Sequence, residues 1–176
     1  MEFLSIISGT KKTLSVLASL YKGCVAINNH FLVKKIEKFS EKPFDENVVD
    51  NFVKSIDIEH WEEIQDLIIH QLTQAESVIK ALYERNLVDA LLTKKISDGE
   101  FWRMNFVLQH LYTFDVGELI KLYDGVDCSV SLKESFSFYG LLHASGAHYV
   151  GNGALSLASV YTITEFGKKF VESIKD

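Results

Sequence analysis

Two pairs of side chains lie at spacings that could begin a metal site: His60 with Glu63, and Asp66 with His70. Residues three or four apart share one face of a helix, so each pair could offer two ligands. A structural or catalytic zinc needs three or four protein ligands. The other histidines, His30, His110, His143 and His148, are scattered, and no H-E-x-x-H or paired E-x-x-H signature occurs. The expectation is therefore histidines beside acids on a helix surface, with no metal. Glu59, Glu62, Glu63 and Asp66 form an acidic run beside Trp61. Carboxylates do acid–base work only where a pocket shifts their pKa values. Trp61, Ile64 and Ile68 already claim the apolar side of this segment, which leaves the acids facing water. Gly151-Asn152-Gly153 lacks the Lys-Ser/Thr that completes a phosphate loop, and a tight turn explains it better. No G-x-S-x-G elbow is present, and Ser145 near His148 has no acid to complete a triad. The expectation is a protein without catalytic residues and without a cofactor.

The elements that carry these residues are helical. A chain of 176 residues, 47% hydrophobic and 12% aromatic, has the apolar content to bury a core, which excludes a disordered chain. Its single proline, Pro43, permits long uninterrupted helices. Cys24 and Cys128 are far apart with no neighbouring ligand, so free thiols in a reducing, cytoplasmic setting are expected. Charge is uneven. Residues 1–42 carry seven lysines against three glutamates, a balance of +4, within a chain whose net charge is −6; the remainder therefore stands at −10. Such an acidic body repels polyanions, while its basic end could attract them.

Lys11-Lys12 followed by the uncharged run Thr13–Tyr21 resembles the opening of a signal peptide. Lys22 interrupts the run, and neither it nor Gly23–Val33 approaches the ~20 apolar residues of a spanning helix. Read at helical period, Leu14, Leu17, Leu20/Tyr21, Cys24 and Val25 form one stripe. Leu32, Ile36 and Phe39 form another, opposite Lys34, Lys35 and Lys38. Lys11, Lys12, Lys34, Lys35 and Lys38 are thus candidate contacts for an anionic partner, and residues 13–42 could lie on an anionic membrane surface. Docking on the protein's own domain is the plainer alternative.

Asp45 is placed to cap a helix over 46–56, and Asp57 a longer one with Trp61, Ile64, Leu67/Ile68 and Leu72 inward. Val78-Ile79, Leu82-Tyr83, Leu87-Val88 and Leu91-Leu92 continue the helical period. Ser97-Asp98-Gly99-Glu100 is a capping box for a helix through Leu111. Another helix spans Val116–Tyr123 and stops at Asp124-Gly125. Ser131-Leu132-Lys133-Glu134 reads as the capping box of a third, Leu132–Ala144. Two short strands, His148–Val150 and Ser159–Tyr161, then flank Gly151-Asn152-Gly153.

Three helices followed by a β-ribbon resemble a winged helix-turn-helix. Tyr161-Thr162-Ile163-Thr164-Glu165-Phe166-Gly167 is similar to the second wing strand and trailing helix of bacterial winged-helix proteins. Phe31–Phe39 and Ile96–Phe101 also resemble small bacterial helical proteins of no assigned activity. The winged resemblance implies DNA binding, with the third helix in the major groove. The residues argue the other way. From Val126 to Asp176 there are four lysines, no arginine and five acids, and Val150–Ser159 has no basic residue. Lys168 and Lys169 are the remaining candidates for a polyanion. Phe136, Phe138, Tyr139, Tyr149, Tyr161, Phe166 and Phe170 crowd this segment with aromatics. Most must be core, with Phe166 and Phe170 on a buried face, and any remainder beyond what a small core can hold would mark a binding surface. Phe138, Tyr139 and Tyr149 are accordingly candidate interface residues.

The fold class expected is mainly α: a helical bundle over 1–96, continuous with a winged-helix-like unit over 97–176 that carries a short two-stranded ribbon. The function expected is a non-catalytic protein-interaction or regulatory module with a protein partner or a homodimer. A winged-helix DNA-binding regulator is the first alternative. Peripheral membrane attachment through the basic N-terminal helix is the second.

Overall fold

The computed structural model describes the backbone of residues 15–26, 29–145, 148–150, 154–156 and 160–175, and the side chains among them except 15–18, 148–150 and 154–156. The described residues are mainly helical and divide into two compact units, Met1–Thr113 and Phe114–Asp176. The boundary expected at 96/97 differs from this division by one helix, Asp98–His110, which packs on the helix before it.

The first unit contains α1 (Ser15–Ala26), α2 (His30–Phe39), α3 (Glu46–Ser55), α4 (Ile58–Gln74), α5 (Val78–Leu92) and α6 (Asp98–His110). Short polar side chains start most of these helices by taking up the backbone N–H groups left unbonded in a first turn. The Asp45 carboxylate accepts from the amides of Asn47 and Val48, and Asp57 accepts from that of His60. Ser97 and Glu100 form the expected reciprocal box, the Ser97 amide donating to Glu100 at 2.8 Å and the Glu100 amide to Ser97 Oγ at 3.4 Å. The core is built on Ile36, Phe39, Ile64, Leu72, Leu87, Leu91, Phe101, Met104 and Leu108, all fully buried. Helix α5 is the hub, packed against α2, α3, α4 and α6. Leu20, Tyr21 and Cys24 of the N-terminal stripe pack with Leu32, Val33 and Ile36 of α2, while Val25 of the same stripe is exposed.

Two sequence expectations fail in this unit, for one reason. Lys35 is buried rather than presented to solvent: three residues after Leu32 it lies on the flank of the buried stripe. Its ammonium donates to the Thr73 and Ala75 carbonyls at 3.1 and 2.9 Å, where α4 ends and its last C=O groups lack helical partners. On α5, Ile79 is exposed, whereas Lys80, Glu84 and Arg85 are buried. Apolar periodicity misplaces this face because three charged side chains sit on it, two of them, Lys80 and Arg85, donating to carbonyls far away in the chain.

The second unit contains α7 (Thr113–Tyr123), which begins at the boundary, then α8 (Val130–Phe138), four short strands and α9 (Glu165–Ile174). The strands are β1 (Leu142–Ser145), β2 (His148–Val150), β3 (Ala154–Ser156) and β4 (Val160–Ile163). β1 pairs with β4 antiparallel, from Leu142 opposite Ile163 to Ser145 opposite Val160. β2 pairs with β3, from His148 opposite Ser156 to Val150 opposite Ala154. The expected ribbon exists in altered form: β2 pairs with Ala154–Ser156, and Tyr161–Ile163 pairs with Leu142–Ala144, which were expected to be helical.

That helix ends at Phe138, not Ala144, because Gly140 adopts φ +73° and reverses the chain. The Gly140 amide donates to the Ser137 carbonyl at 3.0 Å and the Leu141 amide to the Phe136 carbonyl at 2.9 Å, the paired bonds of a left-handed helix stop. The start differs too: Ser129 caps α8, accepting from the Leu132 amide, and Ser131 lies inside the first turn. Gly125, at φ +89°, closes α7 in the same manner.

The Thr-Glu-Phe-Gly sequence has a structural explanation. Thr164 caps α9, accepting from the Gly167 amide at 2.9 Å. Its hydroxyl donates to the Gly140 carbonyl at 2.7 Å, and its amide to the Leu141 carbonyl at 3.0 Å. The start of α9 is thereby fastened to the start of β1, so closely that a Cβ on Gly167 would lie 2.2 Å from the Leu141 carbonyl oxygen. Phe170, Val171 and Ile174 then bury the inner face of α9, each contributing about 2 kcal/mol.

Candidate functional site

Aromatic spacing on α8 separates core from surface. Phe136 and Phe138 are two residues apart and so point to nearly opposite sides of the helix. Phe136 is fully buried; Phe138 is 83% exposed. Val130, eight residues before Phe138 and therefore on the same row, is 61% exposed, and Val126 ahead of the helix is 56% exposed. Ser131 and Glu134 complete the outward face. Tyr139, half-buried, meets the Phe138 ring edge-on with centroids 5.2 Å apart, which braces an otherwise free aromatic. Lys133 is turned from this face: it pairs with Asp127 at 2.5 Å, and its ammonium lies 6.0 Å from the Tyr161 ring centroid. The outward surface of α8 is apolar with one acid, a poor match to a phosphate backbone and a good one to apolar protein surface.

The remaining sequence candidates disperse. Phe138 and Tyr139 are neighbours at the end of α8; Tyr149 is in β2, and its side chain lies outside the described residues, as do Lys11 and Lys12 entirely. Lys34 is exposed on α2, Lys35 is buried, and Lys38 is engaged by Glu41. Lys168 pairs with Glu165 at 2.7 Å on α9, and Lys169 is half-buried beside it. No shared basic face therefore gathers Lys34, Lys35 and Lys38. Sequence reasoning missed Val126 and Val130. The available signal was that Val130 has Lys133 and Glu134 at its helical neighbours' positions, so it belongs to no apolar stripe.

A second aromatic row lies in the first unit. Trp102 and Phe106 of α6 are exposed, and the Phe106 ring sits 4.2 Å from that of His110. His60 links Asp98 at 3.2 Å and Glu63 at 3.5 Å, while His70 meets Gln109 rather than Asp66. Among the described residues no group of three His, Cys, Asp or Glu could hold a metal ion. Both cysteines are free, and burial raises the Cys128 thiol above its ordinary range. No described helix is long and apolar enough to cross a membrane.

Among the described residues, a dense polar cluster lies at the N-terminal end of α5. Lys80 donates to Glu76 at 2.8 Å, to the Gln109 carbonyl at 3.2 Å and to the Leu111 carbonyl at 2.8 Å. Glu76 also receives the amide and the hydroxyl of Thr113, both at 2.6 Å. Burial works to raise the Glu76 carboxyl, but the bonds from Lys80 and Thr113 outweigh it and hold the group at about 2. The arrangement closes the end of α6. Comparison with known proteins finds no family model, no curated protein and no solved structure that matches this chain.

Proposed function

We propose that Phe114–Asp176 is a winged-helix-like unit that serves as a non-catalytic protein-interaction or regulatory module, docking through the outward face of α8 on a protein partner or a second copy of the chain. The supporting observation is the 83% exposed ring of Phe138, aligned with exposed Val130 where a DNA reader would carry basic or amide side chains. Large aromatics anchor interfaces because each removes a broad apolar area from water at the cost of two rotatable bonds. DNA binding has less support: Lys133 and Lys168 are engaged by acids of their own unit. Membrane attachment has less support as well, since Leu20, Tyr21 and Cys24 pack on α2.

The test is one set of measurements on the purified chain. Light scattering across a concentration series, with and without a stoichiometrically co-purified protein, should reveal a complex that Phe138→Asp abolishes while the fold survives. A low-salt gel shift weakened by Lys168→Glu would replace this reading with DNA binding. Co-sedimentation that depends on anionic lipid would replace it with membrane attachment.

A further inference from the structure

Glu84 is fully buried at the centre of the first unit, and neither carboxylate oxygen has a hydrogen-bond partner. An ionised carboxylate in that position would lose its hydration with nothing in return, which disfavours the charged form. Among the described side chains the buried polar atoms without a partner are Ser40 Oγ, Ser137 Oγ, both oxygens of Glu84 and the side-chain carbonyl oxygen of Asn105. Asn105 is itself fully buried on α6, its side-chain amide donating to the Phe101 carbonyl at 3.1 Å.

The antiparallel pair α5–α6 sets Glu84 and Asn105 at one level. Lys80 reaches the Gln109 carbonyl. One helical turn inward on each helix, four residues on from Lys80 and four back from Gln109, stand Glu84 and Asn105. Two orphaned acceptors at one level of a helix pair are reconciled by a single proton: a neutral carboxyl has an O–H to give, and the Asn105 carbonyl has a lone pair to receive it.

We infer that Glu84 keeps its proton in the folded protein and donates it to the Asn105 side-chain carbonyl, making a latch between α5 and α6 that loss of the proton opens. The charged groups around it permit this. On its own helix are Lys80, whose ammonium is committed to Glu76 and two carbonyls, and Arg85, committed to Asp89 and to the Lys42 carbonyl. Helix α2 brings Lys35, committed to the end of α4. The charged residues of α3 (Glu46, Asp50, Lys54) and the acids of α4 (Glu59, Glu62, Glu63, Asp66) are exposed. On α4, His60 is half-buried between Asp98 and Glu63, and His70 is exposed. On α6, Asp98 and Glu100 stand half-buried in the first turn, while Arg103 and His110 are exposed. Burial raises the Glu84 carboxyl and the Lys80 charge lowers it, leaving it at about 8.

A carboxyl raised from the ordinary 4.5 to about 8 in the folded state costs the protein stability as pH climbs between those values. There the unfolded chain has already released the proton that the folded chain retains. The folded-to-unfolded ratio attributable to this group drops about tenfold per pH unit across that window, then levels off.

Side-chain carboxyl carbon NMR of the wild-type protein reads the proton directly. Glu84 should be neutral at pH 7 and ionise more than two pH units above the exposed glutamates; ionisation alongside them would overturn the inference. Urea unfolding across pH 5–9 should show the tenfold-per-unit decline in wild type and its loss in Glu84→Gln; an identical slope in both would also overturn it. A double-mutant cycle of Glu84→Leu with Asn105→Leu should leave the double variant less destabilised than the two single losses together. Strict additivity would remove Asn105 from the latch. Should any variant fail to fold, the NMR titration of wild type still decides.

Discussion

Two helix ends in the first unit and two in the second are closed by opposite means. In Met1–Thr113 the termini of α4 and α6 are closed by ammonium groups, Lys35 on Thr73 and Ala75 and Lys80 on Gln109 and Leu111. In Phe114–Asp176 they are closed by backbone conformation, with Gly125 and Gly140 at positive φ, and by the close approach that Gly167 permits. The first solution stands on charges removed from water, so protons can alter it. The second stands on sterics and neutral hydrogen bonds, and pH should leave it alone. The difference teaches where each unit is vulnerable.

The largest expected effect is that of Lys80→Met, which keeps the buried stem and removes the ammonium. Two carbonyls and Glu76 then lose their donor, and stability should fall by about 3 to 5 kcal/mol in urea unfolding at pH 7. The loss should shrink in strong acid. Glu76 is held at about 2 against an ordinary 4.5, so its share of stability is present above 4.5 and disappears as pH falls through about 2. Gly167→Ala comes next, at about 3 kcal/mol, because the new methyl meets a backbone oxygen that cannot move without unfastening Thr164. That loss should be equal at pH 4 and pH 8, and a pH-dependent one would erase the contrast between the units.

The smallest effect has the opposite sign and crosses the two strategies. Lys94 ends α5 in the left-handed conformation at φ 57°, with its amide donating to the Leu91 carbonyl and that of Lys95 to the Ala90 carbonyl, both at 2.9 Å. The backbone reversal is that of Gly140, but the residue is one for which it is strained. Lys94→Gly should stabilise the chain by about 0.5 to 1 kcal/mol, read as a raised unfolding midpoint.

The same contrast explains what could be read in advance. Caps were legible because Asp45, Asp57 and Ser97 act on amides two to three residues away, within the reach of a sequence pattern. Gly125 was legible as a helix stop, whereas Gly140 was passed over inside an apolar, helix-like run from Leu132 to Ala144. Lys35, Lys80 and Glu84 were illegible: the reason Lys35 can be buried is a pair of carbonyls 38 and 40 residues onward. At the candidate docking face, the crowding of aromatics was visible in the sequence. Which ring was surplus followed only from where α8 stops and which way Phe136 turns. Tyr139 is half-buried and meets Phe138 edge-on.

Photo-crosslinking from position 138, with a benzophenone amino acid in place of Phe138 and a control probe at exposed Glu62, asks whether the outward face of α8 meets protein. A single protein adduct of defined mass from position 138, absent from the control, is the predicted result. No adduct from position 138 while the intact chain is demonstrably in complex, or an adduct with nucleic acid instead, would contradict it.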